Sequence, residues 1–388
     1  MGPMETVLRE DERVTPLELF FDLVFVLAIT QCTALMAADP SWPGLARGLL
    51  VLAALWWCWV GYSWLTSVVN PEEGAVRLAI FAAMAGLLVA ALCVPAAFDD
   101  DALLFAAAYG VVRVAQIALF VVASRDDPVL RRSILAGLTG STALGVGLIA
   151  VASAFDGAAQ GALWAVAIAL DMAGPLLFGL EGWKLEPAHF AERHGLIVII
   201  ALGESIVAIG VGVGHGIDAG VVAAATLGTA VAAALWWLYF DVVAIAAGRR
   251  LARAAPGREQ NGIARDSYSY LHLPMVAGIV LIALGMKKTL GHVEDPLKIE
   301  PAFALLGGTA IYLLAHVGFR LRNMHTLNRQ RLALAVLLFA LLPAAVELPA
   351  LALLAALLAA LIAYEAVHFA EARDRIRHQL AAEPVPPD

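Results

Sequence analysis

Three ionisable side chains, Arg113, Asp171 and Glu204, each stand near the middle of a separate apolar run long enough to cross a bilayer. An ionised group at mid-depth in a membrane helix costs about 2.5–3.5 kcal/mol on insertion scales, so three unpaired ones would cost roughly 8–10 kcal/mol. They are therefore expected to meet inside the protein. One guanidinium against two carboxylates leaves an acid in surplus, and such a group holds a proton or attracts a small cation. Glu204 and Asp171 are accordingly the expected proton- or cation-binding groups, with Arg113 as their counter-charge.

The surroundings of each acid sharpen that expectation. Glu204 stands in Gly203-Glu204-Ser205, and Ile200, Val207 and Ala208 one turn away offer it no hydrogen bond, so its partner must come from another helix. Asp171 precedes Gly174-Pro175, where the missing amide can break a helix and free carbonyls to coordinate an ion. Glu18 and Asp22 lie four apart, on one face of the first apolar run. Glu18 suits the positive end of a helix and is a possible pathway residue, while Asp22 lies deeper among Phe20, Phe21 and Phe25 and is counted with the proton- or cation-binding acids, on the cytoplasmic approach. Gln31, His194, Ser205, His316 and Glu365 complete the candidate pathway. Gly203, Gly210 and Gly214 share a face suited to close helix contact.

Other chemistries fit less well. His189 and His194 are five apart, about 140° around a helix, whereas zinc-protease histidines are four apart on one face. There is no phosphate-binding Gly-Lys loop, and Gly210-x-Gly212-x-Gly214 lies inside an apolar run that no dinucleotide would reach. No metal or other cofactor is expected, nor any catalytic cluster, and an enzyme is not the expected class.

These groups must be carried by membrane helices. With 61% hydrophobic and 15% charged residues and a mean hydropathy of +0.82, the composition is that of an integral membrane protein. Punctuation by Pro, Gly and charge yields twelve segments, near 16–38, 44–69, 75–97, 101–124, 131–154, 158–182, 190–214, 218–247, 268–287, 300–321, 330–346 and 349–370. With the N-terminus cytoplasmic, twenty of the 25 Lys and Arg residues fall on the inner side and four on the outer, Arg113 being the last. That asymmetry follows the positive-inside rule and puts both termini in the cytoplasm. The first fifteen residues lack the apolar core of a signal peptide. Cys32, Cys58 and Cys93 are too apolar in setting to suggest a disulfide framework. No basic patch points to nucleic acid; the expected partners are the bilayer, a proton or small cation, an unnamed solute and a possible second copy.

The second half repeats the order of the first. Phe25-Val-Leu-Ala-Ile-Thr-Gln31 aligns with Val198-Ile-Ile-Ala-Leu-Gly-Glu204, and Ala54-Leu-Trp-Trp57 recurs as Ala234-Leu-Trp-Trp237. Tyr109-x-x-x-Arg113 matches Tyr312-x-x-x-His316, and Asp171 falls opposite Glu365. Two parallel six-helix repeats follow, 1–184 and 185–370, with a polar tail at 371–388, and the pathway is expected between them.

Two strings resemble the hallmark motifs of the bacterial low temperature requirement protein A family: Thr15-Pro-Leu-Glu-Leu-Phe-Phe-Asp-Leu-Val-Phe-Val-Leu-Ala-Ile-Thr-Gln31 and His189-Phe-Ala-Glu-Arg-His-Gly-Leu-Ile-Val-Ile-Ile-Ala-Leu-Gly-Glu-Ser205. The resemblance implies a multi-pass membrane protein and names no substrate. A fainter likeness joins Phe21-Asp22-Leu-Val-Phe-Val-Leu-Ala-Ile-Thr30 to the lysosomal-type potassium channels, although Phe21 stands where that family has a serine. The expectation is thus an all-α polytopic protein of the bacterial inner membrane, engaged in proton- or cation-coupled transport. The alternatives are a six-plus-six proton or potassium channel and a non-transporting scaffold for growth in the cold.

Overall fold

A computed structural model describes residues 13–72, 74–180, 182–213, 216–241 and 243–368. The charged residues before Arg13, Gly214 and the tail at 371–388 lie outside the described residues. Within hydrocarbon a chain must satisfy its backbone polar groups internally, and helices do so segment by segment. The chain accordingly forms α1 (Pro16–Ala38), α2 (Trp42–Thr66), α3 (Gly74–Cys93) and α4 (Ala102–Ala123). Next come α5 (Pro128–Ala152), α6 (Gly157–Leu177), α7 (Pro187–Gly212), α8 (Ala219–Phe240) and α9 (Val243–Ala252). The last are α10 (Arg258–Gly291), α11 (Ile299–Met324), α12 (Arg329–Ala340), α13 (Leu342–Ala345) and α14 (Ala350–His368). One π-helical stretch, Leu135–Thr139, interrupts α5 and another, Ala264–Tyr270, interrupts α10.

Ten stretches, counting α8 with α9, are long and apolar enough to cross a membrane. They occupy the first ten of the twelve expected segments. The last two hold shorter helices. Pro343 has no amide to continue the ladder, and α12 stops at Ala340 before α13 takes one further turn. Only Ala350–Glu365 of α14 counts as apolar helix.

The chain divides into two compact units: the chain up to Arg193 with Ala254–Arg265, and His194–Arg253 with the chain from Asp266 onward. In the first unit every residue of α2 from Ala54 to Thr66 is buried, as expected for a helix apolar on all sides. It packs against α1, α4 and α6. Thr15 opens α1 with a capping box: its hydroxyl accepts the Glu18 amide while the Glu18 carboxylate takes the Thr15 amide at 2.9 Å. Helices α5 and α6 approach closely because Gly174 has no side chain; a Cβ there would stand 2.2 Å from the Gly137 carbonyl oxygen. In the second unit α10 and α11 touch through Gly278 and Gly308, where a Cβ on Gly278 would stand 2.6 Å from the Gly308 oxygen. The expected glycine face of α7 is a correction. Gly203 and Gly210 have nothing within 4 Å of an added Cβ, and they share an exposed face with Ile206 and Val207.

The faces are reversed relative to a water-soluble bundle. Along α4 the exposed large side chains are Leu103, Leu104, Val111 and Val114, while Tyr109, Arg113 and Gln116 are buried. Apolar side chains turned outward, with charge turned inward, is the arrangement a lipid solvent selects.

Candidate ion-binding sites

Two charged clusters lie inside the first unit. One joins two of the three mid-span charges. The Arg113 guanidinium donates to Asp171 Oδ1 at 2.8 Å and to the Thr142 hydroxyl at 3.0 Å, and also to the Gln116 side-chain oxygen. Asp171 Oδ1 takes a further bond from Thr142 at 3.0 Å, and Oδ2 accepts the Tyr109 hydroxyl. Both ionic side chains are about 1% exposed. Each carboxylate oxygen is thus occupied, and the charges balance one to one.

The backbone here corrects one expectation. Helix α6 does not break at Gly174-Pro175; it runs to Leu177 with Pro175 inside it. Proline at 175 has no amide for the carbonyl four residues earlier, which belongs to Asp171. The indole N–H of Trp57 fills that role at 3.1 Å. The carbonyl expected to be available to an ion is therefore already bonded.

The second cluster gathers at the start of α1. Glu18 Oε1 accepts from Arg193 at 2.9 Å and lies 2.9 Å from His189 Nε2. Asp22 Oδ1 accepts from Arg193 at 2.8 Å and from the Trp59 indole at 2.8 Å. Arg193 also reaches the Thr66 hydroxyl at 3.2 Å, and its guanidinium carbon lies 5.5 Å from the Trp59 ring centre. Glu18, Asp22, His189 and Arg193 are all at most 2% exposed. Two carboxylates thus face one guanidinium and one imidazole. Asp22 Oδ2 and Arg193 Nε are buried and make no hydrogen bond among the described residues. Among the described residues, two carboxylates here share the Arg193 guanidinium, whereas Asp171 is paired with Arg113.

The second unit holds the other candidates. Glu204, Ser205, His194 and His316 are buried, and Glu365 on α14 is half-buried; in the first unit, so is Gln31. The His194 ring meets Tyr268 and His272 edge-on, with centres 5.3 and 5.2 Å away. His272 bonds the Tyr239 hydroxyl at 2.8 Å through Nε2 and the Ser267 carbonyl at 3.0 Å through Nδ1. Arg193, His189, Tyr109, Thr142, Trp59 and His272 were not among the expected site residues. For the first two a signal existed: 189 and 193 are four apart on an apolar helix, just as Glu18 and Asp22 are.

Lipid-facing helices that turn ion pairs and hydrogen-bonded side chains inward define a multi-pass α-helical membrane protein. The profile of the family described as bacterial low temperature requirement A protein (LtrA) matches residues 13–366, and the chain belongs to that family. It is similar to the uncharacterized protein RA0937 of Rhizobium meliloti (strain 1021), with 32% identity over 311 residues, covering 76% of this chain and 74% of that one. No solved structure matches the chain.

Proposed function

We propose that this protein moves protons, or a solute or small cation coupled to them, across the bacterial inner membrane, with Glu18 and Asp22 as the exchanging acids. The observation that carries the reading is the sharing of the Arg193 guanidinium by two buried carboxylates, one of which keeps an oxygen with no hydrogen bond among the described residues. Counting Glu18, Asp22, Arg193 and His189 alone, with both acids ionised and the imidazole neutral, negative charge exceeds positive by one. A dry site pays heavily for an uncompensated charge, so a proton on a carboxylate or on His189, or a bound cation, is the stable condition. Release of that proton as the helices shift would couple the site to movement of charge. By the positive-inside pattern the cluster lies toward the cytoplasm.

Arg113 and Asp171 act in this reading as a closed brace between α4 and α6, with α5 contributing Thr142. Glu204 is assigned as an acid of the second unit, which begins its half of the proposed repeat. The channel alternative is favoured by no separate observation here.

The experiment is proton flux into liposomes containing the purified full-length protein, driven by a potassium diffusion potential and followed with an internal pH dye. Wild type should exceed empty vesicles, and Asp22→Asn should fall to their leak. Equal flux in the two proteins, or none above the leak in wild type, would overturn the proposal.

A further inference from the structure

The second unit carries a base that its own neighbours leave unused. His316, 1% exposed on α11, has Nδ1 2.9 Å from the Tyr312 carbonyl oxygen. A carbonyl only accepts, so Nδ1 bears the hydrogen and Nε2 presents its lone pair. That Nε2 is buried and makes no hydrogen bond among the described residues. A buried acceptor without a hydrogen bond is unfavourable, so its retention calls for a use.

The same tautomer argument orders the groups beside it. His272 gives its Nδ1 hydrogen to the Ser267 carbonyl, which leaves Nε2 to accept the Tyr239 hydroxyl. The Tyr239 ring stands edge-on to His316 with centres 5.9 Å apart, and to His272 at 5.7 Å. Tyr239 therefore lies between two imidazoles with its proton already committed toward His272.

We infer that His316 Nε2 is a reversible proton-binding site of the second unit; its part in transport, though not its existence, rests on the function proposed above. A proton arriving on Nε2 makes His316 an imidazolium, which keeps its Nδ1 bond to Tyr312. The titratable and charged groups around His316 are Tyr312 on its own helix, Tyr239 on α8, His272 on α10 and Arg331 on α12. The Tyr312 and Tyr239 rings, centred 4.4 and 5.9 Å away, lie within the distance at which aromatic rings interact with cations.

The test is nitrogen NMR of the full chain, labelled at histidine nitrogens and held in lipid bilayers, between about pH 8 and pH 5, the range over which imidazoles ordinarily change charge. His316→Asn, whose amide N–H can replace the Nδ1 donor, identifies the signal by its disappearance; His316→Gln serves if the first variant does not fold. The expected result is a His316 signal that passes from one protonated nitrogen to two as the pH falls. A His316 signal that stays singly protonated throughout overturns the inference. Flux is read separately. A protein that titrates at His316 yet moves no protons overturns the transport reading and supports this site, whereas one that moves protons with His316 unchanged overturns the site alone.

Discussion

The indole N–H of Trp57 donates to the carbonyl of Asp171 at 3.1 Å, standing in for the backbone amide that Pro175 lacks. The bond ties α2, the buried centre of the first unit, to the turn of α6 that presents the Asp171 carboxylate to Arg113. A side chain has been recruited because a proline removed the ordinary donor.

That relationship predicts a compensating pair. Trp57→Phe strands a buried carbonyl and should lower stability by about 1–3 kcal/mol. Pro175→Ala in the same background supplies an amide four residues after Asp171 and should recover most of the loss. Thermal unfolding in detergent of both single variants and the double variant measures the coupling; additive effects would mean the indole is not acting for the missing amide.

Arg193 should be the least replaceable side chain of the α1 cluster. Arg193→Gln leaves Glu18 and Asp22 buried without their guanidinium, and breaking a buried pair in this way costs about 3–5 kcal/mol. Arg193→Lys keeps the charge but not a fork able to bond both acids at once, and its loss should be intermediate. Adding Asp22→Asn to Arg193→Gln should restore stability in part. The comparison is made by unfolding midpoints at one pH, and a double variant no more stable than Arg193→Gln would show that charge imbalance is not what the arginine relieves.

Much of this was legible in the residue pattern, and the rest was hidden for definite reasons. The first ten spans and the inward burial of Arg113 and Asp171 follow from length and from the cost of charge in hydrocarbon. Arg193 escaped because its position near a helix start also suits an ordinary inner-face cation, and charge counting does not separate a buried guanidinium from an exposed one. The glycines misled similarly. A spacing of seven along α7 identifies a shared face but not what that face meets, and Gly203 and Gly210 have nothing packed against them. The role of Trp57 was unreadable because it depends on a contact 114 residues away in sequence.

Two glycine substitutions should therefore move in opposite directions. A Cβ on Gly61 would stand 2.1 Å from the Gln116 amide nitrogen, and Gln116 is a partner of Arg113. Gly61→Ala must push that amide aside and should destabilise by about 1–3 kcal/mol. Gly203→Ala meets nothing within 4 Å and removes conformational freedom from the unfolded chain, so it should stabilise by about 0.4–1 kcal/mol. Unfolding midpoints of the two proteins in the same detergent decide it, and a shift of the same sign in both would contradict the packing described here.

Outside the spans, Asp127 supplies a pH-dependent contribution whose sign is fixed by its contacts. Its carboxylate accepts the Leu130 amide at 3.1 Å as the N-cap of α5 and lies 3.4 Å from the Lys184 ammonium. The capping bond first, and Lys184 after it, hold the acid below the ordinary carboxylate range. A group depressed on folding stabilises the protein above its unfolded value, near 3.9 for an aspartate, and that contribution disappears as the pH falls through the folded value. Asparagine caps a helix about as well but carries no charge, so Asp127→Asn should retain the cap and lose only the acid dependence. Because Asp127 and Lys184 are 31% and 61% exposed, the difference should be small, toward the low end of the roughly 0.2–1 kcal/mol measured for exposed pairs. Melting curves of wild type and Asp127→Asn from pH 6 to pH 3 should show the wild-type advantage shrinking with acid; a constant difference across that range would count against a charged cap.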